Sequence, residues 1–256
     1  MLRSFSVQIK RALSPRLLLL SFAAAALQLL SAAPFIKTDQ VSSVWYVLFN
    51  SQMTGINFFT IYILPVMVYA VTLVKESETR ASDYYIIRTG VGRYTLSKIL
   101  ASATGGYLLV FLELLICMTA LKAAGFPWYT FRSDGTPYSA AMEQGKVIYG
   151  FFMFLLDMGW GGAVVSVFGL TVSVFIENSL AAAAAPLAVT LFLSRVVDQL
   201  KLPFDFNPMM WMRYVDYSDR FTALDGVLYK SAVSLIVMTI LSVIGIRGMK
   251  RRQERA

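Results

Sequence analysis

Few residues in this chain could do chemistry, and most of them lie in apolar surroundings. Glu113, Asp157 and Arg195 each fall inside a long hydrophobic run. The sequence has no histidine and one cysteine, Cys117. That removes Ser–His hydrolysis, His-ligated haem or zinc, imidazole proton relays and any intrachain disulfide, and it leaves no metal site to nominate. No Gly-x4-Gly-Lys-Ser/Thr phosphate loop is present, so the chain cannot cradle ATP in that way. The other chemically rich stretch is KESETRASDYYIIRTGVGRYTLSKIL, residues 75–100, with five basic and three acidic residues between two apolar runs.

The elements that position these residues are set by composition. The 256 residues are 57% hydrophobic and 15% charged, and the mean hydropathy is +0.62. Soluble domains are about 45–50% apolar and about 25% charged, so this is the composition of a polytopic membrane protein. The formal charge of +8 sits beside apolar runs, which favours topology signals and anionic lipid over nucleic acid. Six runs are long enough to cross a core of roughly 30 Å: Leu17–Ala33, Ile56–Val74, Ile99–Leu121, Val147–Ile176, Leu180–Val197 and Val227–Ile246. In lipid each must be a helix, because only a helix satisfies its own backbone. The expected fold is therefore all-α, a single transmembrane domain over 1–256. The first run imitates a secretory signal, but its length and the five runs that follow favour a first span.

Lys and Arg set the orientation. Arg3, Lys10, Arg11 and Arg16 precede the first run, Lys75, Arg80, Arg88, Arg93 and Lys98 join the second to the third, and Arg247, Lys250, Arg251, Arg252 and Arg255 form the tail. The opposite side holds Lys37, Lys122, Arg132, Lys146, Arg195, Lys201, Arg213 and Arg220, with Lys230 just inside the sixth run. Fourteen against nine places both termini in the cytoplasm of a cell membrane. Residues 1–16 put Leu2, Phe5, Ile9 and Leu13 on one helical stripe before Pro15, which predicts an amphipathic interfacial helix. With this orientation Glu113 lies ~21 Å along its span, Asp157 ~15 Å from its outer start and Arg195 ~22 Å along its span. These similar levels allow a shared polar site in the substrate path, a structural ion pair, or an arginine snorkelling to the outer interface.

In the connector 75–98, Glu76 and Arg80 stand four apart with the acid first, Asp83 continues that face, and Tyr84, Ile87 and Val91 form an apolar stripe. Gly90 and Gly92 end the helix, and Lys98 suits a phospholipid anchor. Gly162, Ser166, Gly169 and Ser173 make a small-residue strip for close packing, and Pro65 predicts a kink. The long outer segment 198–226 carries Trp211, Tyr214 and Tyr217 at headgroup-seeking positions. The stretch FRSDGTPYS reads as an exposed turn.

ESETRASDYYIIRTGVGRYTLSKILA resembles the span 2–3 connector of ABC exporter permeases of the type-2 class. The basic amphipathic start, six spans, short span 4–5 link and long outer loop before the last span resemble that family as well. Gly90 and Gly92 replace the proline often found at its turn. The resemblance implies that Glu76, Arg80, Asp83, Tyr84, Ile87 and Arg88 belong to a coupling helix docked on a separate ABC ATPase subunit, which carries ATP and Mg. It also implies a second permease chain, identical or different, and an amphiphilic cargo (peptide, lipid, drug-like molecule or glycan). It further implies that the outer segment, with Trp211, Tyr214 and Tyr217, caps the exit. Outside the resemblance, the alternatives are an ion-gradient-driven transporter, an intramembrane enzyme, and a non-pumping immunity or assembly protein.

Overall fold

The computed structural model describes residues 2–36, 42–52, 56–79, 81–130, 136–201 and 221–255. Every regular element among them is an α-helix. In chain order these are α1 (Leu2–Ala12), α2 (Pro15–Ile36), α3 (Val44–Gln52), α4 (Asn57–Tyr69), α5 (Val71–Glu78), α6 (Ala81–Thr89), α7 (Val91–Ala123), α8 (Pro137–Glu143), α9 (Val147–Phe175), α10 (Ser179–Gln199) and α11 (Ala223–Arg255).

Five stretches among the described residues are long and apolar enough to cross a membrane: Phe5–Ile36, Val91–Ala123, Val147–Phe175, Ser179–Val197 and Ala223–Glu254. The molecule is thus a helical membrane protein. The expected second span differs in form. Its run divides at Ala70 into α4 and α5, and neither piece alone has the length to cross. The division lies beyond Pro65, which stays inside α4. Ala70 keeps right-handed helical angles (φ −58°, ψ −37°), and the Leu73 amide donates to the Ala70 carbonyl, a tightened i to i+3 bond.

The core is built on α7 and α9, which cross where neither has a side chain. A Cβ on Gly106 would lie 2.4 Å from the Gly162 carbonyl oxygen, and the reverse holds for Gly162. One turn away the Ser102 and Ser166 hydroxyls meet at 2.8 Å. Further along α9, Gly169 receives Val66 of α4. The small-residue strip therefore serves packing within the chain. Lipid tails are as apolar as the side chains, so this close approach and the interhelical hydrogen bonds do the work that burial does in water. A polar ladder adds to it: Cys117 Sγ donates to Gln28 Oε1 (3.3 Å), and Gln28 Nε2 donates to Ser51 Oγ (3.1 Å). It joins α7, α2 and α3.

Two regions depart from expectation. The helix α3 was not anticipated. Its Trp45 is buried against Tyr138, Phe151 and Phe154, edge-on to the two phenylalanines. The second half of FRSDGTPYS is not an exposed turn: Thr136 caps α8 by accepting from the Ser139 amide, and Thr136 to Ser139 are buried.

Candidate functional site

The three basic segments of the sequence converge at one end of the bundle, and a single carboxylate joins the first of them to the connector. Glu76 near the end of α5 places Oε1 3.0 Å from Arg11 Nη1 of α1 and 2.9 Å from Lys98 Nζ of α7. Its other oxygen accepts from the Tyr94 hydroxyl. Lys98 also donates to Thr72 Oγ1 (3.1 Å) and lies over the Tyr69 and Tyr94 rings. Arg11 Nη2 donates to the Tyr85 hydroxyl of α6 (3.2 Å), and the Tyr85 and Tyr94 rings stack. The Tyr69 hydroxyl donates to Gln8 Oε1 of α1.

Local sequence explains the arrangement. Tyr94 and Lys98 are four residues apart and share one face of α7. Thr79, after α5, turns the chain away, its backbone amide held by the Lys75 carbonyl at 3.2 Å. On α1 the deepest side chains are Gln8 and Ala12, with Ile9 packed on the core, Phe5 half-buried and Leu13 exposed. The buried stripe is thus rotated from the one expected, so that α1 directs polar groups at Glu76. With its side chain only 1% exposed, Lys98 is not a lipid anchor but the inner half of an ion pair.

The connector helix α6 projects beyond this anchor. Ser82 and Ile86 face the bundle, while Tyr84 (58%), Ile87 (84%) and Arg88 face outward. Arg88 donates to the Tyr84 hydroxyl at 2.9 Å. Gly90 ends α6 with φ +80°, a conformation that favours glycine, and α7 begins at the next residue, so Gly92 is helical. Asp83 does not continue a Glu76 face. It accepts from Gln253 Nε2 of α11 (3.0 Å). Arg252 of α11 pairs with Glu177 beyond α9. The tail of α11 is therefore helix in contact with the connector.

Of the three residues matched by level, Asp157 takes its ion-pair partner from α11 and not from Arg195. Asp157, fully buried on α9, pairs with Lys230 of α11 (3.0 Å), and Tyr138 of α8 lies beside the same carboxylate. Arg195 is exposed on α10. Glu113 is 3% exposed, one turn from Cys117 on the face of α7 toward α2, and no hydrogen bond or ion pair to it occurs among the described residues. Sequence reasoning missed Arg11, Tyr85, Tyr94 and Lys230 as partners. The last had a readable signal, since a lysine inside an apolar helix demands a buried acid. Arg80, Trp211, Tyr214 and Tyr217, with most of the 198–226 segment, lie outside the described residues.

No family model, curated protein or solved structure matches this chain.

Proposed function

We propose that the chain is the transmembrane subunit of an ATP-driven exporter of the ABC type-2 class, with α6 as the helix that docks on a separate ATPase. The observation that carries this reading is the joint at Glu76. Glu76 of α5 is paired with α1 and α7 at once, and α6, which follows and presents an apolar and cationic outer face, meets the same joint through Tyr85, held by Arg11 and stacked on Tyr94. A short helix with Ile87 and Tyr84 outward fits a groove on a partner protein. That polar anchor would convert a push on α6 into movement of α1 and of the third crossing, α7.

In this reading α4 and α5 together make the second crossing, which brings the number to six. Both termini and α6 are cytosolic, α1 lies along the inner leaflet, and two such chains assemble with two ATPases. ATP and Mg belong to those partners. Moving a gate from 1:99 to 99:1 takes about 5.5 kcal/mol of differential binding, which ATP-driven closure of the ATPases would supply. The cargo is amphiphilic. The test is purification of the tagged chain from its own cells. An ABC ATPase should accompany it and support ATP-dependent efflux in vesicles, and recovery of folded chain with no ATPase would reject the reading.

Glu113 favours a second reading. A buried carboxyl with no described partner is the group an ion-gradient-driven transporter would use. Transport that continues without ATP and stops on collapsing the ion gradient would favour it.

A further inference from the structure

A second feature lies beside the Glu76 joint, on the outer side of α5. A cleft of about 400 Å³ opens between α2 and the α4–α5 pair. Leu19, Leu20, Met67 and Val71 line it, and Arg16 and Lys75 close one end. Leu19 is 70% exposed and Met67 48% exposed, so the apolar wall is uncovered.

The charges on its rim are unbalanced. Glu76 is the acid nearest in sequence, but it turns to the other side of α5 and is committed to Arg11 and Lys98. Among the described residues no carboxylate lines the cleft. Neither Arg16 nor Lys75 has a side-chain ion pair among the described residues. The same rim is where α2 begins, at Pro15, and a helix start adds partial positive charge. Arg16 enters the first turn of an apolar helix, so the two cations stand where a headgroup meets hydrocarbon.

We propose that this cleft holds one anionic phospholipid from the leaflet next to α1, its phosphate between Arg16 and Lys75 and an acyl segment along Leu19, Leu20 and Val71. The volume is at the small end of the roughly 300–1,000 Å³ typical of ligand pockets, enough for part of one lipid. Two unpaired cations above an apolar wall match one phosphate above hydrocarbon, and a soluble anion would leave the wall bare. The proposal requires that the chain be embedded in a membrane. It does not depend on the transporter reading, and a bound lipid would be found whether or not an ATPase is.

The test is native mass spectrometry of the full chain released from nanodiscs of phosphatidylglycerol and phosphatidylcholine. One phosphatidylglycerol per chain should survive activation that strips phosphatidylcholine. The double variant Arg16→Gln, Lys75→Gln should lower that retention about thirty-fold, for two contacts of about 1 kcal/mol each. Val71→Trp, which fills the cleft and keeps both cations, should lower it as well, while Lys250→Gln with Arg251→Gln should leave it unchanged. Glycerol phosphate in solution should not displace the lipid. Equal retention of the two lipids, or an unchanged Arg16/Lys75 double variant, would overturn the site. Equal loss in the tail variant would make it a diffuse surface effect, and displacement by glycerol phosphate would make it a plain phosphate site. Either result also overturns the proposal.

Discussion

Glu76 and Arg11 are 65 positions apart in sequence, yet the carboxylate and guanidinium meet at 3.0 Å, with Lys98 on the same oxygen. Three helices that enter the bundle separately are fixed to one another through one side chain.

Removing that side chain's charge should matter more than removing either cation. Glu76→Gln leaves Lys98 buried without its counter-charge, and losing one partner of a buried pair costs about 3–5 kcal/mol. The true figure should fall below that range, because Glu76 itself is 13% exposed and Arg11 44% exposed. Arg11→Gln should cost under about 1 kcal/mol, as exposed pairs do. Thermal unfolding in detergent should order the variants Glu76→Gln, Lys98→Gln, then Arg11→Gln, from most to least damaging. If Arg11→Gln proved the worst, the joint would not be organised by its buried half.

Asp157 and Lys230 should behave as a structural pair. Asp157→Asn takes the carboxylate away from a buried ammonium and should destabilise by about 3–5 kcal/mol. The double variant Asp157→Leu, Lys230→Met should recover much of the loss, because replacing both charges by apolar groups removes the buried ion. Arg195→Gln should change stability little, since Arg195 is exposed. The check is chemical denaturation of all three. A double variant no better than Asp157→Asn would contradict the structural role of the pair.

The α7–α9 crossing should not tolerate a methyl group. Gly162→Ala would bring a Cβ within 2.4 Å of the Gly106 carbonyl oxygen, too close for backbone to accommodate without moving a helix. Overpacking of this kind costs about 1–3 kcal/mol or more. Gly92→Ala, where nothing lies within 4 Å, should be silent. Equal melting temperatures for the two would contradict the contact.

Much of the fold was legible in the sequence because the membrane restricts the choices. Runs such as Leu180–Val197 and Val147–Ile176 had to be helices, and their observed ends fall within a few residues of expectation. Helices α7 and α11 run well past their apolar stretches, because Tyr94 or Arg251 can stay helical outside lipid and hydropathy does not sense that. The site was less legible. The spacing of Glu76 and Arg80 invited a local pairing; Arg80 lies outside the described residues, and the described partners of Glu76, Arg11 and Lys98, come from other helices. A polar side chain inside an apolar run announces that it needs a partner without saying which one. Asp157 therefore was matched by level to Arg195, while Lys230 faced it across the α9–α11 contact.

The outward face of α6 should be dispensable for folding and required for assembly. Ile87 is 84% exposed, so Ile87→Asp should leave the melting temperature unchanged while abolishing recovery of an ATPase and ATP-dependent transport. Loss of folded chain instead would show that Ile87 packs within the protein.

Cys117 is the sole cysteine and is buried, so Ile87→Cys supplies one reactive thiol on the connector. Thiol-directed crosslinking from that position in intact cells should yield an adduct with an ATP-binding subunit at the inner face of the membrane. Labelling of the same thiol by a membrane-impermeant reagent added outside the cells, with no such adduct, would contradict the proposed function at its base.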